Sequence, residues 1–304
     1  MEKDTQQEIS LAFNQKRERV ATQCVCCGSR ALQAAPAILM PFIAHRCFGW
    51  APATIDESWG LETVKNGNAY SVCKSLQCAL CHLLFLDIRF SNDELLNLYY
   101  GYRNAEYTSL RESYEPGYTL RNDALGIAVD YFGILEQFLD PLLPNRQLAI
   151  LDWGGDSGKN TPLQRRAMQH DVYDISRTAT VPSATAISYE QAVANNYDLI
   201  VCSSVLEHVP YPSDVLLDIR QAMRPDSLLY LEVPYEDVLR THGQKSIEYK
   251  KHWHEHINFF SPESITRLLK NMGLSIAAMS LDKSITAGLK SSYIMQFACK
   301  KMPS

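Results

Sequence analysis

The sequence lacks any stretch that would carry it into or across a membrane. Although 46% of its 304 residues are hydrophobic, none of its apolar runs reaches the roughly 20 consecutive residues that a membrane helix needs. The first ten residues, MEKDTQQEIS, contain no apolar segment of the kind that a secretory signal requires. We therefore predict a cytoplasmic protein without a membrane span.

An excess of positive charge is also missing. The 29 basic and 34 acidic residues give a net charge of −5, so no overall field attracts the chain to nucleic acid or to anionic lipid. Internal repeats and low-complexity tracts are absent, and the hydrophobic fraction is ordinary for a globular protein. These absences exclude a disordered or collagenous chain and predict that nucleic acid is not a partner.

Cysteine is scarce after residue 81 and frequent before it, with seven of the nine cysteines in the first part. Two CxxC pairs stand there, Cys24 with Cys27 and Cys78 with Cys81. In a reducing compartment, clustered cysteines bind a metal ion more often than they form disulfides. Four thiolates close a tetrahedral site that leaves no position for water, so the pattern predicts a structural zinc ion, with Gly28 allowing the tight turn of the first pair.

Two other interpretations of these cysteines stay open. They could be buried structural thiols without a metal. The spacing Cys73-x4-Cys78-x2-Cys81 also matches that of plant-type ferredoxins, but an iron–sulfur cluster needs a fourth cysteine and none occurs between Cys81 and Cys202. Zinc is therefore the prediction.

The order of predicted elements indicates an α/β fold. SNDELLNLYYGYR begins like a helix, with Ser91 as N-cap and Glu94 as its capping-box partner, and a second, amphipathic helix covers 125–139. Further on, buried strands alternate with helices, which predicts a Rossmann-like, doubly wound parallel sheet. The predicted strands are QLAILDW, HDVYD, TAIS, YDLIVCSS and SLLYLEVP, the predicted helices lie near 160–169, 189–196, 213–223 and 262–272, and LSIAAMSL and YIMQFACK form a final antiparallel pair.

The segment LDWGGDSG at 151–158 follows a strand and indicates a turn that comes close to a ligand. The segment matches the P-loop pattern GxxxxGK[ST] only in part. It contains the GDSG of secreted serine proteases, but the signal peptide, disulfide framework and β-barrel pattern of those proteins are not predicted here. It also lacks two glycines of the dinucleotide-binding fingerprint GxGxxG. It fits motif I of S-adenosylmethionine (SAM) methyltransferases, D-x-G-x-G-x-G, at Asp152, Gly154 and Gly158. Asp174 follows the next strand, where an acid would hold the ribose hydroxyls. A glycine turn in a cofactor-free domain is the plain alternative.

The region YDLIVCSSVLEHVPYPSDVLLDIRQAMRPDSLLYLEVP closely resembles the fourth-to-fifth-strand region of class I SAM-dependent methyltransferases. The cysteine pattern, the segment LYYGYR and the stretch WHEHINFFSPESITRLLKNMGL are similar to one subgroup, the sugar C-methyltransferases that act on nucleotide-linked sugars. The resemblance begins near Cys24 and implies a SAM cofactor bound by Asp152, Gly154, Gly155, Gly158 and Asp174. The sequence departs from the subgroup at Asp156, in place of the middle glycine of motif I, and at Trp253, where the subgroup typically has Tyr. We also expect no counterpart of that subgroup's further C-terminal domain.

Three histidines in five residues, His252, His254 and His256, precede the last predicted helix. Where a methyl acceptor carries a proton, transfer needs a base with a pKa near neutrality, which suits histidine. By resemblance, Glu255 and His256 match residues that act beside the substrate, and we predict His256 as general base. His254 is a rival, and structural or metal-binding roles stay open.

His208, in LEHVP, follows the fourth strand, where open α/β sheets bind ligands. It is predicted to face cofactor or substrate, or else to fix the loop.

Together these features predict three segments: a polar start (1–20), a zinc-binding module with its linker (21–116) and a SAM-binding domain (117–304). The predicted function is methyl transfer to a small molecule, a nucleotide-linked sugar or glycan precursor. A non-catalytic binding protein of the same fold is the main alternative, and a nicotinamide-dependent oxidoreductase is a more distant one.

Overall fold

Two large β-sheets and a separate antiparallel pair of short strands, Ala53–Ile55 with Gly67–Ala69, occur in the computed structural model. The structure describes residues 17–50, 53–55, 67–69, 71–120, 131–284 and 292–302. In chain order the strands are β1 (Leu32–Leu39), β2 (Ala53–Ile55), β3 (Gly67–Ala69), β4 (Val72–Cys78), β5 (Leu84–Leu86), β6 (Leu148–Trp153), β7 (Ala167–Tyr173), β8 (Thr185–Ala186), β9 (Tyr197–Ser203), β10 (Met223–Tyr235), β11 (His252–Trp253), β12 (Asn258–Phe259), β13 (Leu274–Ser284) and β14 (Ser292–Lys301).

Helices connect these strands and cover the sheets. They are α1 (Pro41–Phe48), α2 (Asn92–Tyr99), α3 (Ala105–Tyr114), α4 (Tyr131–Leu139), α5 (Tyr189–Ala194), α6 (Pro212–Ala222), α7 (Asp237–His242) and α8 (Pro262–Asn271). The capping box predicted for α2 is confirmed, because the Glu94 amide donates to Ser91 Oγ at 3.3 Å and the Ser91 amide donates to Glu94 Oε2 at 2.8 Å. Among the described residues, no helix is both long enough and apolar enough to cross a bilayer.

The larger sheet has seven strands in the order β13-β14-β10-β9-β6-β7-β8. Neighbours from β10 to β8 pair in parallel, whereas β14 runs antiparallel to both β10 and β13. Every residue of β6 and all but the last residue of β9 are buried, as expected for parallel strands that helices cover on both faces. The predicted α/β sheet and the final antiparallel pair are therefore confirmed.

One predicted helix, over 160–169, is wrong. Leu163 has a φ of 58°, in the left-handed region that interrupts a helix. The preceding Thr161 directs its hydroxyl to Asp152 at 2.5 Å. A short 3₁₀ turn, Gln164–Arg166, is all that forms before β7 starts. The helix predicted over 125–139 is present as α4, and its first six residues lie outside the described part of the chain.

The smaller sheet has five strands in the order β11-β1-β4-β5-β12. Its centre comes from the cysteine-rich part of the chain, but both of its edge strands come from the histidine-rich stretch. Strand β11 pairs parallel with β1, and β12 pairs antiparallel with β5. Residues 254–257 therefore link the two opposite edges of this sheet, which fixes the histidine-rich segment at both ends.

A shared apolar core joins the two sheets. Cys24, Leu83 and Phe85 from the N-terminal part pack in one buried cluster with Leu231 of β10 and with Phe260. The predicted boundaries at 20/21 and 116/117 stay predictions, and the segments on either side of the second boundary contribute to this one core.

Arg89 adds polar contacts across the same junction. Its side chain is 1% exposed and donates to Asn258 Oδ1 at 2.8 Å and to the Pro210 carbonyl at 3.1 Å, with a further bond to the Leu86 carbonyl. Asn258 in turn donates to the carbonyls of Leu206 and Val209 at 2.9 and 2.7 Å. The loop that follows β9 is thereby held against the smaller sheet.

Candidate functional site

The four cysteines of the two CxxC pairs come together in space. Cys24 Sγ lies 3.5 Å from Cys81 Sγ, and Cys27 Sγ lies 3.6 Å from Cys78 Sγ. All four sulfurs fall within 4.8 Å of one another. A tetrahedral zinc ion with Zn–S bonds of about 2.3 Å separates its sulfurs by about 3.8 Å, whereas a disulfide needs about 2 Å. The cluster is therefore compatible with zinc and not with disulfides.

Backbone amides point at these sulfurs. The amides of Cys26 and Leu80 lie 3.4 Å from the sulfurs of Cys24 and Cys78, respectively. Gly28 has the left-handed φ of 71° that the sequence predicted for the first turn. Such amides orient thiolates and stabilise their charge. Within the described residues Cys26 is buried and is not part of the four-sulfur group.

The glycine loop follows β6 and turns through left-handed conformations. Gly154 and Gly158 have φ values of 79° and 75°, and Asp156 between them has 53°. Aspartate tolerates this region better than most residues. The substitution of the middle motif I glycine by Asp156 is therefore accommodated with the same kind of backbone turn.

Asp152 supports the loop from beneath. Its side chain is 4% exposed, accepts from Thr161 Oγ1 at 2.5 Å, and lies under Gly155, where an added Cβ would meet Asp152 Cγ at 2.3 Å. Burial raises the pKa of Asp152 to about 7. His170 Nε2 lies 2.9 Å from the Thr161 hydroxyl oxygen and extends the network. Asp152 thus shapes the loop from its buried side.

Asp174 closes the same loop from the end of β7. Its two carboxylate oxygens accept the amides of Asp156 at 2.9 Å and Ser176 at 2.7 Å. Each carboxylate oxygen has more than one lone pair, and the residue is half-buried. Asp174 can therefore hold the loop and still accept hydrogen bonds from a ligand.

Contact between two strand-end loops connects the glycine loop to the histidines. A Cβ on Gly154 would lie 2.5 Å from Val205 Cγ2, so the two loops approach closely there. Val205 follows β9, the neighbour of β6, and its carbonyl accepts the amide of His208 at 3.0 Å. The glycine loop therefore touches the turn that carries His208.

His208 and His256 meet at this end of the sheet. Their ring centroids are 4.6 Å apart with the rings nearly perpendicular. His208 Nδ1 lies 2.8 Å from the Tyr99 hydroxyl and 3.1 Å from the Glu255 carbonyl, whereas His256 Nδ1 lies 2.7 Å from Glu236 Oε1. The two imidazoles thus differ in their hydrogen-bond partners, which are neutral groups for His208 and a carboxylate for His256, while the Glu207 carboxylate lies 3.9 Å from His208 Nε2.

Glu255 does not orient His256. Both oxygens of its carboxylate accept from Arg111 Nη2, at 2.8 and 2.9 Å, and Arg111 also donates to Glu115 at 3.1 Å. His254, the rival candidate for the general base, contacts a different acid, because its Nδ1 lies 3.7 Å from Glu115 Oε1. The carboxylate that orients His256 is Glu236.

These partners set the proton affinities of the site. Burial lowers the pKa of His256, but the hydrogen bond and charge of Glu236, with the charges of Glu207 and Glu255, outweigh it and raise that pKa to about 9. Burial and the neighbouring His256 lower the pKa of His208 to about 3. Burial raises the pKa of Glu255, but Arg111, together with His256, His208 and a backbone hydrogen bond, more than offsets this and lowers the pKa to about 2. His256 is therefore a far stronger base than the near-neutral one that we expected.

A third acid stands beside the two histidines. Glu207 is 1% exposed, and its carboxylate oxygen Oε1 lies 3.9 Å from His208 Nε2. One of those oxygens and one ring nitrogen each of His208 and His256 lie within 4.8 Å of one another. Burial raises the pKa of Glu207 to about 7.

Two residues of this site, Glu236 and Arg111, are not singled out as site residues by the sequence. Tyr99 lies in the LYYGYR segment, whose tyrosines could stack on a sugar or base, although the sequence favours aromatic packing between the modules. Glu236 follows the strand that ends LEVP, so its place at a carboxyl strand end is the available signal. Arg111 is 144 positions from Glu255, and no local pattern links the two.

Comparisons with known proteins agree with this architecture. Residues 128–278, nearly half of the chain, match the family model of a methyltransferase domain. The chain contains a class I SAM-dependent methyltransferase domain. The matched residues include the parallel strands β6 to β10 of the larger sheet and the start of β13, whereas β14 follows them in the chain.

Individual relatives are more distant. The ubiquinone biosynthesis O-methyltransferase of Aeromonas salmonicida is 25% identical over 127 residues, which cover 37% of this chain and 53% of that protein. The chain thus spans about half the length of this curated relative. The 1,6-didemethyltoxoflavin-N1-methyltransferase of Burkholderia thailandensis is 16% identical with a TM-score of 0.45, covering 73% of this chain and 96% of that one. The magnesium protoporphyrin IX methyltransferase of Synechocystis is 16% identical with a TM-score of 0.40, covering 57% and 82%.

Proposed function

We propose that the protein transfers the methyl group of SAM to a small molecule bound between the glycine loop and the His208–His256 pair. The observation that carries this proposal is the contact of Gly154 with Val205. It brings the loop of a methyltransferase domain next to a pair of histidines, one of which is hydrogen-bonded to a carboxylate. No comparable observation in the described part of the chain favours the non-catalytic or oxidoreductase alternatives.

The cofactor site in this proposal consists of Asp152, Gly154, Gly155, Gly158 and Asp174. When bound, SAM supplies an electrophilic methyl group on a cationic sulfonium. Asp174 accepts hydrogen bonds from the ribose hydroxyls with the lone pairs that Asp156 and Ser176 leave open. Gly154 lets the methionine end approach the backbone. Asp152 acts indirectly, through Thr161 and the shape of the loop.

Replacing Asp174 tests this assignment. Asp174→Asn removes the charge but keeps one oxygen for the loop amides, and it should weaken SAM binding by about 1.5–3 kcal/mol. Isothermal titration calorimetry measures the change. Asp226→Asn, whose side chain is 75% exposed near the start of β10, should leave the affinity unchanged. Equal affinity in the Asp174 variant and the wild type would contradict the assignment.

His256 is the proposed general base. His256 would take the proton of the acceptor, which frees the electron pair that the methyl group supplied by SAM would then bind. His208 lines the same space, held by Tyr99, and Glu255 fixes the segment through Arg111. The resemblance to sugar methyltransferases makes a nucleotide-linked sugar or glycan precursor the proposed acceptor.

The proton affinity of His256 predicts an unusual pH dependence. A base acts only when deprotonated, so the rate should rise with pH through about 9 rather than near neutrality. His256→Ala should lower turnover by about 10²–10⁴-fold and abolish this rise while SAM affinity stays unchanged. Labelled methyl incorporation into a panel of nucleotide-linked sugars measures both effects.

The exposed His252 provides a control from the same stretch. His252→Ala should keep both the rate and the pH profile of the wild type. If His256→Ala retained full turnover, the base would lie elsewhere.

We also propose that Cys24, Cys27, Cys78 and Cys81 hold one structural zinc ion. Their sulfur separations and the amides that face them support a closed tetrahedral site. The ion would link the turn at Gly28 to the end of β4, beside the apolar cluster that joins the two sheets.

Metal analysis tests the zinc site. The protein purified without chelator should contain about one zinc per chain, and Cys78→Ser should release it and lower the melting temperature, because structural zinc contributes directly to folding. Cys26→Ser, within the first CxxC pair but outside the four-sulfur group, should keep the zinc. A wild-type protein without zinc would contradict the proposal.

A further inference from the structure

Glu207 is the buried acid of the site that the proposed reaction has not used. A buried carboxylate has lost the hydration that stabilises its charge, so a nearby positive charge is needed to compensate the loss. The backbone carbonyl of Glu207 accepts hydrogen bonds from the amides of Ile257 and Asn258, at 2.7 and 3.0 Å. Since the backbone is fixed by these bonds, the side chain is held in place beside the histidines.

The charges around His256 come from several elements. Glu236 after β10 is hydrogen-bonded to it, and a carboxylate oxygen of Glu207, after β9, lies within 4.8 Å of one of its ring nitrogens. Glu255 is already paired with Arg111. His208 is the remaining titratable neighbour, and its low pKa keeps it neutral. An imidazolium at His256 is therefore the positive charge available to compensate Glu207.

We propose that Glu207 is a positioning residue that acts through His256, stabilising the imidazolium formed when His256 takes the proton of the acceptor. This inference rests on the proposed function, in which that proton transfer occurs. Together Glu236 and Glu207 present two carboxylates to one imidazole. Glu236 orients the ring by a hydrogen bond, and Glu207 supplies charge from the buried end of the site.

The same geometry admits a rival explanation. One carboxylate oxygen and two imidazole nitrogens within 4.8 Å also match a two-histidine, one-carboxylate cation site. The two explanations differ in what the site requires, because only the rival needs a divalent cation for activity.

Titration of His256 by nuclear magnetic resonance tests the proposal without needing an acceptor. In Glu207→Gln the apparent pKa of His256 should fall by about one unit or more relative to the wild type. Glu232→Gln removes another carboxylate buried in a neighbouring strand, where it accepts from Ser203, and should leave the His256 pKa unchanged. Glu207→Asp keeps the charge, so the pKa of His256 should stay close to its wild-type value.

An unchanged His256 pKa in Glu207→Gln would overturn the proposal. If that variant failed to fold, Glu207→Ala and Glu207→Asp would replace it. Glu207→Ala removes the charge and should lower the pKa of His256, whereas Glu207→Asp keeps the charge and should not.

Turnover assays provide the second readout. In Glu207→Gln the rise of rate with pH should move to lower pH together with the His256 titration, with turnover reduced and SAM affinity unchanged. Loss of wild-type activity after treatment with EDTA, restored by Mg²⁺ or Mn²⁺, would instead establish the cation site and overturn the proposal. Failure of the wild type to methylate any acceptor would count against the proposed function, while the titration would still test the charge pairing.

Discussion

A buried ion pair between Arg111 and Glu255 is the interaction on which the candidate site depends. Arg111 is 2% exposed and holds both oxygens of Glu255, and loss of one partner from such a pair leaves a buried charge that is costly to retain. The pair fixes the segment of residues 254–257 between β11 and β12. Because His256 follows Glu255 directly, the position of the proposed base depends on a residue of α3 in the N-terminal part of the chain.

The two sheets therefore contribute different parts of one site. The larger sheet provides the glycine loop, Asp174 and the acids Glu207 and Glu236, all at carboxyl ends of strands. The smaller sheet holds, between its two edges, the segment that carries His256. The cysteine cluster lies in the core that joins the sheets, so a zinc ion there would act on the site through folding, not through chemistry.

Much of this could be predicted from the sequence, because the signals were local. Spacing within each CxxC pair identified the four cysteines, continuous apolar runs identified the parallel strands, and Ser91 with Glu94 marked the start of α2. The helix predicted over 160–169 failed because the left-handed Leu163 overrides the pattern. The charge partners could not be predicted from local sequence patterns. Glu236 and His256 are 20 positions apart. Arg111 and Glu255 meet because β11 and β12 pair with the smaller sheet.

The proposed function requires a cofactor site at Asp174 that faces an acceptor site at His256. A crystal structure of the protein with S-adenosylhomocysteine tests this arrangement most directly. The ribose hydroxyls should lie on the Asp174 carboxylate, and the sulfur should face the space beside His208 and His256. A ribose bound away from Asp174, or a sulfur separated from both histidines by the body of the protein, would contradict it.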